Sequence, residues 1–209
     1  MYPADIHATL MRHAAPMPDG AADAADVHAV ACILALALWE AGEAGRSATE
    51  TTGLSGADLC NLAAGFFPRE SAMFAGLRDR PAPEVGVDEA CLRDLLRHGT
   101  TAGGLLELLL ADMVARRCLR PNHLWQDLGL RNRGELSGLM TRHFAPLAAR
   151  NSADMKWKKF FYRTICRDEG FMLCAAPSCA ECDDFEVCFG DESGESLLAQ
   201  ARRAADLAA

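Results

Sequence analysis

The chain has 209 residues, is 50% hydrophobic and carries a formal net charge of −8 at pH 7. A chain of this length and apolar content can bury a sizeable core, which excludes a disordered protein. Its first residues include acids and prolines, whereas a secretory signal has a basic start and an unbroken apolar run, so we expect a cytoplasmic protein. Nine cysteines are then expected to be mostly reduced thiols, and clusters of them indicate metal binding.

The N-terminal part of the chain predicts helices, because apolar residues recur every three or four positions without sustained alternation. The longest apolar stretch, Ala29–Trp39, has eleven residues, against the roughly 20 that a membrane-spanning helix needs. We therefore predict a buried helix and no association with a membrane. Asp26 is a candidate N-cap of this helix, which we expect to end near Ala41, and residues 45–53 are predicted to form a loop.

Helix-breaking residues and helix-capping residues divide the next part of the chain. Ser55 with Asp58 predicts a capping box in front of a helix. The sequence RDRPAPEVGVDEA is typical of a linker, after which Asp88 is expected to open another helix. The run GLLELLLADMVARRCL predicts a core helix with one apolar stripe, formed by Leu105, Leu106, Leu109, Leu110 and Met113.

The following region, residues 116–170, holds twelve basic and five acidic side chains in an otherwise acidic protein. Asn122 is expected to cap a short helix, Arg133 to begin another and Ser152 to cap a third that runs to Gly170. Helical spacing in the third helix predicts a stripe facing the core, made of Trp157, Phe161 and Ile165. Another side, called the basic face here, carries Lys156, Lys159, Arg163 and Arg167. Such a face attracts anions or an acidic partner surface, although helix faces of this kind can also be merely solvated.

The strongest chemical signal is a C-x4-C-x2-C-x5-C spacing formed by Cys174, Cys179, Cys182 and Cys188. We call residues 171–190 the cysteine segment. Thiolates suit zinc, copper(I) and iron–sulfur clusters, so the residue types alone do not select the metal. Structural zinc sites usually join two close pairs across a dozen or more residues, whereas short gaps throughout favour an iron–sulfur cluster.

The other cysteines and histidines give weaker signals. Cys32, Cys60 and Cys91 lie singly in apolar helical patterns and are predicted to be packing residues. Additional metal ligands could come from four residues, namely Cys118, His123, His143 and Cys166.

Two further interpretations are consistent with the pattern. Residues 124–144 could form a helix-turn-helix around Gly129, with the cysteine segment acting as a redox-sensing cluster that controls DNA binding. The acidic chain and the few basic side chains of GELSGLMTRHF argue against binding to nucleic acid. Alternatively, the four thiols could hold zinc in an interaction module. No acid–base pair or nucleophile with a positioned base is evident in the sequence, which argues against an enzyme.

The motifs HLWQDLGL and MKWKKFFYR, followed by the four-cysteine spacing, resemble the NifQ family over about residues 115–190. The resemblance implies a carrier that binds a molybdenum–iron–sulfur cluster and donates molybdenum to assembly of the nitrogenase iron–molybdenum cofactor. The cluster ligands of the family fall on Cys174, Cys179, Cys182 and Cys188. The implied partners are molybdate and the scaffold and reductase proteins of cofactor assembly.

The fold expected from these patterns is all-α. We predict a helical domain over residues 1–170, a cluster-binding loop over residues 171–190 and a C-terminal helix over residues 191–209. The basic face lies directly before the loop and is predicted to attract molybdate or the anionic cluster.

Overall fold

The computed structural model describes residues 2–12, 14, 23–168, 192, 194–200 and 203. Ten α-helices are assigned within these residues: α1 (Pro3–Arg12), α2 (Ala24–Ala44), α3 (Ala48–Thr52), α4 (Gly56–Phe66), α5 (Val87–His98), α6 (Leu105–Cys118), α7 (Leu124–Asp127), α8 (Arg133–His143), α9 (Ala145–Arg150) and α10 (Trp157–Asp168). A 3₁₀ helix spans Ser71–Leu77. No strand occurs in the described residues, and the helices form a single domain, which confirms the predicted all-α fold.

Helix α2 is the centre of the core. Its residues 29–37 are all buried, because α1, α3 and α8 pack against it. By length and composition this helix could also cross a membrane, but 67% of its apolar window is buried inside the protein. A helix that is apolar on all sides and covered by its neighbours is a core helix. The prediction of a buried helix is therefore confirmed.

The start of α2 differs from the prediction. Asp23, and not Asp26, is the N-cap, and its carboxylate accepts hydrogen bonds from the N–H groups of Ala25 and Asp26. Asp26 occupies the third helical position and completes a capping box by accepting from the Asp23 N–H. The local sequence pattern does not show which of the two aspartates is the N-cap, because the N-cap and the first helical turn both favour acidic residues.

A short helix interrupts the loop predicted for residues 45–53. Ser47 caps α3, and its side-chain oxygen accepts a hydrogen bond from the Thr49 N–H. The hydroxyls of Thr51 and Thr52 donate to backbone carbonyls, so these polar side chains are satisfied although buried. Ser55 caps α4, with its Oγ accepting from the Asp58 N–H, but the Asp58 carboxylate accepts from the Ser55 hydroxyl, so only the first half of the predicted capping box is formed.

Helix α6 carries the predicted apolar stripe, except at its first turn. Leu109, Leu110 and Met113 are buried, but Leu105 is 70% exposed, so its assignment to the core is wrong. The Glu107 carboxylate accepts hydrogen bonds from the N–H groups of residues 102–104 and fixes this turn at the surface. Asp88 likewise does not cap α5, since Gly86 precedes the helix and Asp88 lies in its first turn.

The far end of α6 contains a fully buried arginine. Arg117 has no exposed side-chain surface, and its guanidinium donates to the Glu40 carboxylate at 2.6 Å and to the Asp127 carbonyl at 2.5 Å. A buried guanidinium is tolerated only when its N–H groups are paired. Arg117 therefore fixes α6 against α2 and the end of α7.

The basic region forms α7 to α10, and two of its predicted caps are wrong. His123 precedes α7, whereas Asn122 donates from its side chain to Asp127 at 3.0 Å. Ser152 does not cap α10, which begins only at Trp157. Asp154 has a φ of 53°, in the left-handed region, so a right-handed helix cannot run through this residue. The predicted start of α8 at Arg133 is confirmed, with Asn132 as N-cap.

The residues after the cysteine segment are described in part. Residues 197–200 and 203 are helical, and Ser196 Oγ accepts a hydrogen bond from the Ala199 N–H. Most of the predicted C-terminal helix lies outside the described residues. The division of the chain at residues 170 and 190 stays a prediction.

Candidate metal centre

The four predicted thiolate ligands, Cys174, Cys179, Cys182 and Cys188, lie outside the described residues. The structure does describe the chain on both sides of the cysteine segment. On the N-terminal side, α10 ends at Asp168, and on the C-terminal side Glu192 and residues 194–200 are described. These two flanks determine where the segment enters and leaves the helical domain.

Helix α10 leads into the cysteine segment and separates an apolar side from the basic face. Its buried side chains are Trp157, Phe160, Phe161 and Thr164. Ile165, predicted to face the core, is only partly buried. In the basic face, Lys159 and Arg167 are exposed, Arg163 is half-buried, and Lys156 precedes the first residue of α10. Only three of the four predicted cations therefore belong to the helix itself.

Lys158, which was not predicted as a site residue, connects α10 to α7. Its Nζ donates to the carbonyls of Arg120 and Asn122 at 2.5 and 2.7 Å and contacts the Asp127 carboxylate at 2.5 Å. Asp127 belongs to the HLWQDLGL motif and Lys158 to the MKWKKFFYR motif. The two motifs are thus joined by a buried ion pair, which fixes the direction in which α10 approaches the cysteine segment.

A second set of contacts, called the exit contacts here, holds the chain that follows the cysteine segment. The Glu192 carboxylate lies 3.5 Å from both His123 Nδ1 and Arg133 Nε. The Gln126 side-chain amide donates to the Glu195 carbonyl at 3.0 Å. All three partners come from α7 or from the residues that begin α7 and α8. The HLWQDLGL motif therefore contributes to holding both flanks of the segment.

A cleft of about 410 Å³ lies between α9 and α10, and part of the basic face lines it. Its lining includes Arg163, Arg167 and Arg150, together with the small polar residues Ser152 and Thr164. Arg150, which the sequence analysis did not single out, also pairs with the Asp168 carboxylate at 3.1 Å. Three guanidinium groups around one cleft favour a small oxyanion, because arginine presents several N–H donors in a fixed plane.

The weaker ligand candidates have different surroundings. Cys118 is buried at the end of α6, where burial raises the pKa of its thiol to about 12. His143 is buried, with Nε2 at 2.9 Å from Asp26 and Nδ1 at 4.0 Å from Glu107. His123 belongs to the exit contacts, and Cys166 is partly buried on α10. His123 itself contacts Glu192, in the chain that follows the cysteine segment.

The structure brings together a group of ligands that the sequence analysis missed. His7, His28 and Cys32 place one potential donor atom each within 4.8 Å of one another. Burial raises the pKa of the Cys32 thiol well above its ordinary value, and burial also lowers the pKa of the His7 imidazole. The available signal was the i, i+4 spacing of His28 and Cys32, which puts both on one side of α2.

Comparison with protein families assigns the chain. The model of the NifQ family matches residues 29–190, a range that contains both motifs and all four cysteines of the cysteine segment. The chain belongs to the NifQ family. This family is implicated in nitrogen fixation.

Two NifQ relatives match most of the chain, and a third matches about half of it. A NifQ homolog from Sinorhizobium fredii is 46% identical over 82% of this chain and 74% of its own length. The NifQ protein of Rhodobacter capsulatus is 40% identical over 85% of this chain and 97% of its own length. That of Azotobacter vinelandii is 45% identical over 48% of this chain and 52% of its own length. No solved structure matches the chain.

Proposed function

We propose that this NifQ-family protein is a metal carrier rather than an enzyme. In this proposal it binds a molybdenum–iron–sulfur cluster through Cys174, Cys179, Cys182 and Cys188 and donates molybdenum to assembly of the nitrogenase iron–molybdenum cofactor. The observation that carries the proposal is the four-cysteine spacing inside the region that matches the family, residues 29–190. The proposed recipients are the scaffold and reductase proteins of cofactor assembly, and the proposed place of action is the cytoplasm.

The donor set of the cysteine segment fits such a cargo. Four thiolates in one short stretch match the ligand requirement of an iron–sulfur cluster, whereas hard ions such as Mg²⁺ prefer oxygen donors. The segment also contains Asp183, Asp184 and Glu186. Their negative charge opposes that of an anionic cluster, which favours release over permanent storage.

The cleft between α9 and α10 provides a route for molybdenum. Molybdate is a divalent oxyanion, and the basic face with Arg150 concentrates positive charge beside the residues that lead into the cysteine segment. We propose that Arg163 and Arg167 bind molybdate or a molybdenum–sulfur anion in this cleft, and that Lys156 and Lys159 increase its local concentration. Added salt is expected to weaken this recruitment.

Metal analysis of protein purified without oxygen tests the cluster. We expect several irons per chain, acid-labile sulfide and molybdenum in the wild type, and loss of all three in Cys179→Ser. The matched control is Cys60→Ser, because the Cys60 thiol is buried on α4, far in sequence from the segment, and donates to the Phe74 carbonyl as a serine hydroxyl also can. One zinc per chain that is lost in Cys179→Ser, with no iron and no sulfide in the wild type, would support the zinc-stabilised module and contradict the carrier.

A double substitution tests the cleft separately. Arg163→Gln with Arg167→Gln should leave iron loading unchanged, lower molybdenum loading and remove its dependence on salt. The control, Arg46→Gln with Arg69→Gln, removes two exposed charges elsewhere and should change neither metal. If iron and molybdenum loading declined in parallel, the cleft would have a structural role. If neither changed, the cleft would have no role in metal loading.

We propose no role in binding nucleic acid. A helix-turn-helix over residues 124–144 needs two helices of useful length, but α7 has four residues, and all four are buried. Absence of a gel shift with duplex DNA at low salt would agree with this, and a salt-dependent shift would contradict it.

A further inference from the structure

We propose that His7, His28 and Cys32 form a second metal site, which binds one transition-metal ion of the Zn²⁺ type and is separate from the cysteine segment. The donors come from two helices, with His7 on α1 and the other two on α2. The site does not depend on the carrier function proposed above. His7 and His28 precede the region that matches the NifQ family, which begins at residue 29.

The distances from His28 to the other two donors are close to those of tetrahedral coordination, and all three donors lie within 4.8 Å of one another. His7 Nε2 lies 3.2 Å from His28 Nδ1, and Cys32 Sγ lies 3.8 Å from His28 Nδ1 and 3.5 Å from His28 Nε2. A Zn²⁺ ion with bonds of about 2.0 Å to nitrogen and about 2.3 Å to sulfur separates its donors by about 3.3 to 3.6 Å. Small side-chain adjustments therefore suffice to place all three donors around one ion.

The helices hold these side chains close to the required positions before a metal arrives. His28 and Cys32 are one helical turn apart on α2, and α1 packs directly against α2. Cys32 is fully buried, while the two imidazoles are partly buried. The rings of His7 and His28 meet edge to face at 86°, so they do not stack on each other.

A carboxylate supports the central histidine. His28 Nε2 lies 3.3 Å from the Glu135 carboxylate on α8, and Glu135 also accepts from the backbone N–H and the side chain of Arg131. Histidine ligands commonly donate their second ring N–H to a carboxylate, which fixes the tautomer and the ring orientation. With Nε2 held by Glu135, Nδ1 of His28 faces His7 as a metal ligand would.

The donor set selects the class of ion. Two imidazoles and one thiolate suit Zn²⁺ and similar borderline ions, whereas Mg²⁺ and Ca²⁺ need oxygen ligands. Three protein donors leave a fourth position for water or another small ligand. The bound ion would also join α1 to α2 across residues 13–22.

Cobalt(II) titration tests the site in the full-length chain. The background is a variant in which the four cysteines of the cysteine segment are replaced by serine, so that those thiols cannot bind the probe. We expect one Co²⁺ per chain, with the strong visible bands of tetrahedral cobalt and a sulfur-to-cobalt charge-transfer band. Cys32→Ala should remove the charge-transfer band, and Cys60→Ala should keep it.

Two further variants separate ligand loss from misfolding. His7→Gln changes a half-buried side chain on α1 and should weaken cobalt binding at least tenfold while the circular dichroism of the helices stays unchanged. Glu135→Gln should weaken binding about tenfold but keep the charge-transfer band, because it acts through His28. The proposal would be overturned if the background variant bound no cobalt, or if His7→Gln and Cys32→Ala bound cobalt as tightly as the background variant. Neither result bears on iron loading of the cysteine segment.

Discussion

Asp26 joins the N-terminal end of α2 to the C-terminal end of α8. Its carboxylate lies 2.8 Å from the Arg142 guanidinium and 2.9 Å from His143 Nε2, and the residue is 6% exposed. A buried carboxylate with two such partners is stabilised by them, and neutralising it leaves the partners without their acceptor.

Asp26→Asn is therefore expected to lower the free energy of unfolding by about 2 kcal/mol, measured by urea denaturation at pH 7. The matched control is Asp23→Asn, three residues earlier, because asparagine caps a helix about as well as aspartate does. Equal losses in the two variants would mean that the capping box, and not the contact with α8, accounts for the effect.

The same carboxylate gives a prediction for pH. Burial alone would raise the pKa of Asp26, but hydrogen bonds and charge from His143 and Arg142 outweigh it and hold the pKa below its ordinary value of 3.8. The stabilisation is then fully present above pH 3.8 and is lost as pH falls through the lower pKa of the folded state. The difference in stability between wild type and Asp26→Asn, measured by urea denaturation, should therefore shrink as pH falls below about 4.

At the scale of single residues, the sequence indicated which side chains to consider but not which partners they contact. His143 was singled out as a possible ligand, but its partners Asp26 and Glu107 lie far away in the chain, and only the packing of α8 on α2 brings them together. Cys32 was interpreted as a packing residue because its neighbours in sequence are apolar. The approach of His7 depends on the contact of α1 with α2, which no local pattern specifies.

At the scale of the helices, the ion pair between α10 and α7 makes two adjacent residues, Lys158 and Lys159, differ in their contribution to stability. Lys158→Met should lower the free energy of unfolding by about 3 kcal/mol, because Asp127 is 2% exposed and would be left without its cation. Lys159→Met changes an exposed side chain and should alter stability by less than about 0.5 kcal/mol. Urea denaturation of both variants checks this, and similar values for the two would contradict the assigned role of Lys158.

The exit contacts give a second prediction for the helices. Gln126→Leu removes the hydrogen bond to the Glu195 carbonyl and should make iron easier to remove with a chelator, because the chain after the cysteine segment is then less well held. Iron release can be followed optically under nitrogen. The control is Gln200→Leu, whose amide donates to the same carbonyl from within the C-terminal part of the chain and does not connect it to α7. Faster release in both variants would show that α7 is not the relevant contact.

Helix positions were largely predictable, whereas the starts of α2, α5, α7 and α10 were not. Apolar spacing predicted α2, α6 and α10 because burial of one stripe or of a whole helix dominates their stability. Their first turns depend on single hydrogen bonds, such as those of Glu107 with residues 102–104 or the backbone turn at Asp154. α3 escaped prediction because threonine-rich sequences have low intrinsic helix propensity and this helix is stabilised by its buried contacts.

For the whole molecule, the helices that precede the cysteine segment already form an extensive core. The described core residues come from α1 to α10 and the connections between them, with Leu198 packed at the periphery. We therefore expect Cys179→Ser with Cys182→Ser to leave the helical circular dichroism and the midpoint of urea denaturation almost unchanged, even though metal is lost. A large drop in the midpoint would show that the metal stabilises the helical domain itself.

The contacts on both sides of the cysteine segment also affect its entropy. Lys158 holds α10 against α7, and the exit contacts hold Glu192 near the start of the same short helix. Bringing together the ends of a chain of about 23 residues, the number between Asp168 and Glu192, costs about 3 kcal/mol of conformational entropy. Contacts with the helical domain already hold both ends of the segment. This entropy is therefore lost when the protein folds and not when it binds metal. Affinity for metal should therefore fall when an exit contact is removed, as in Gln126→Leu.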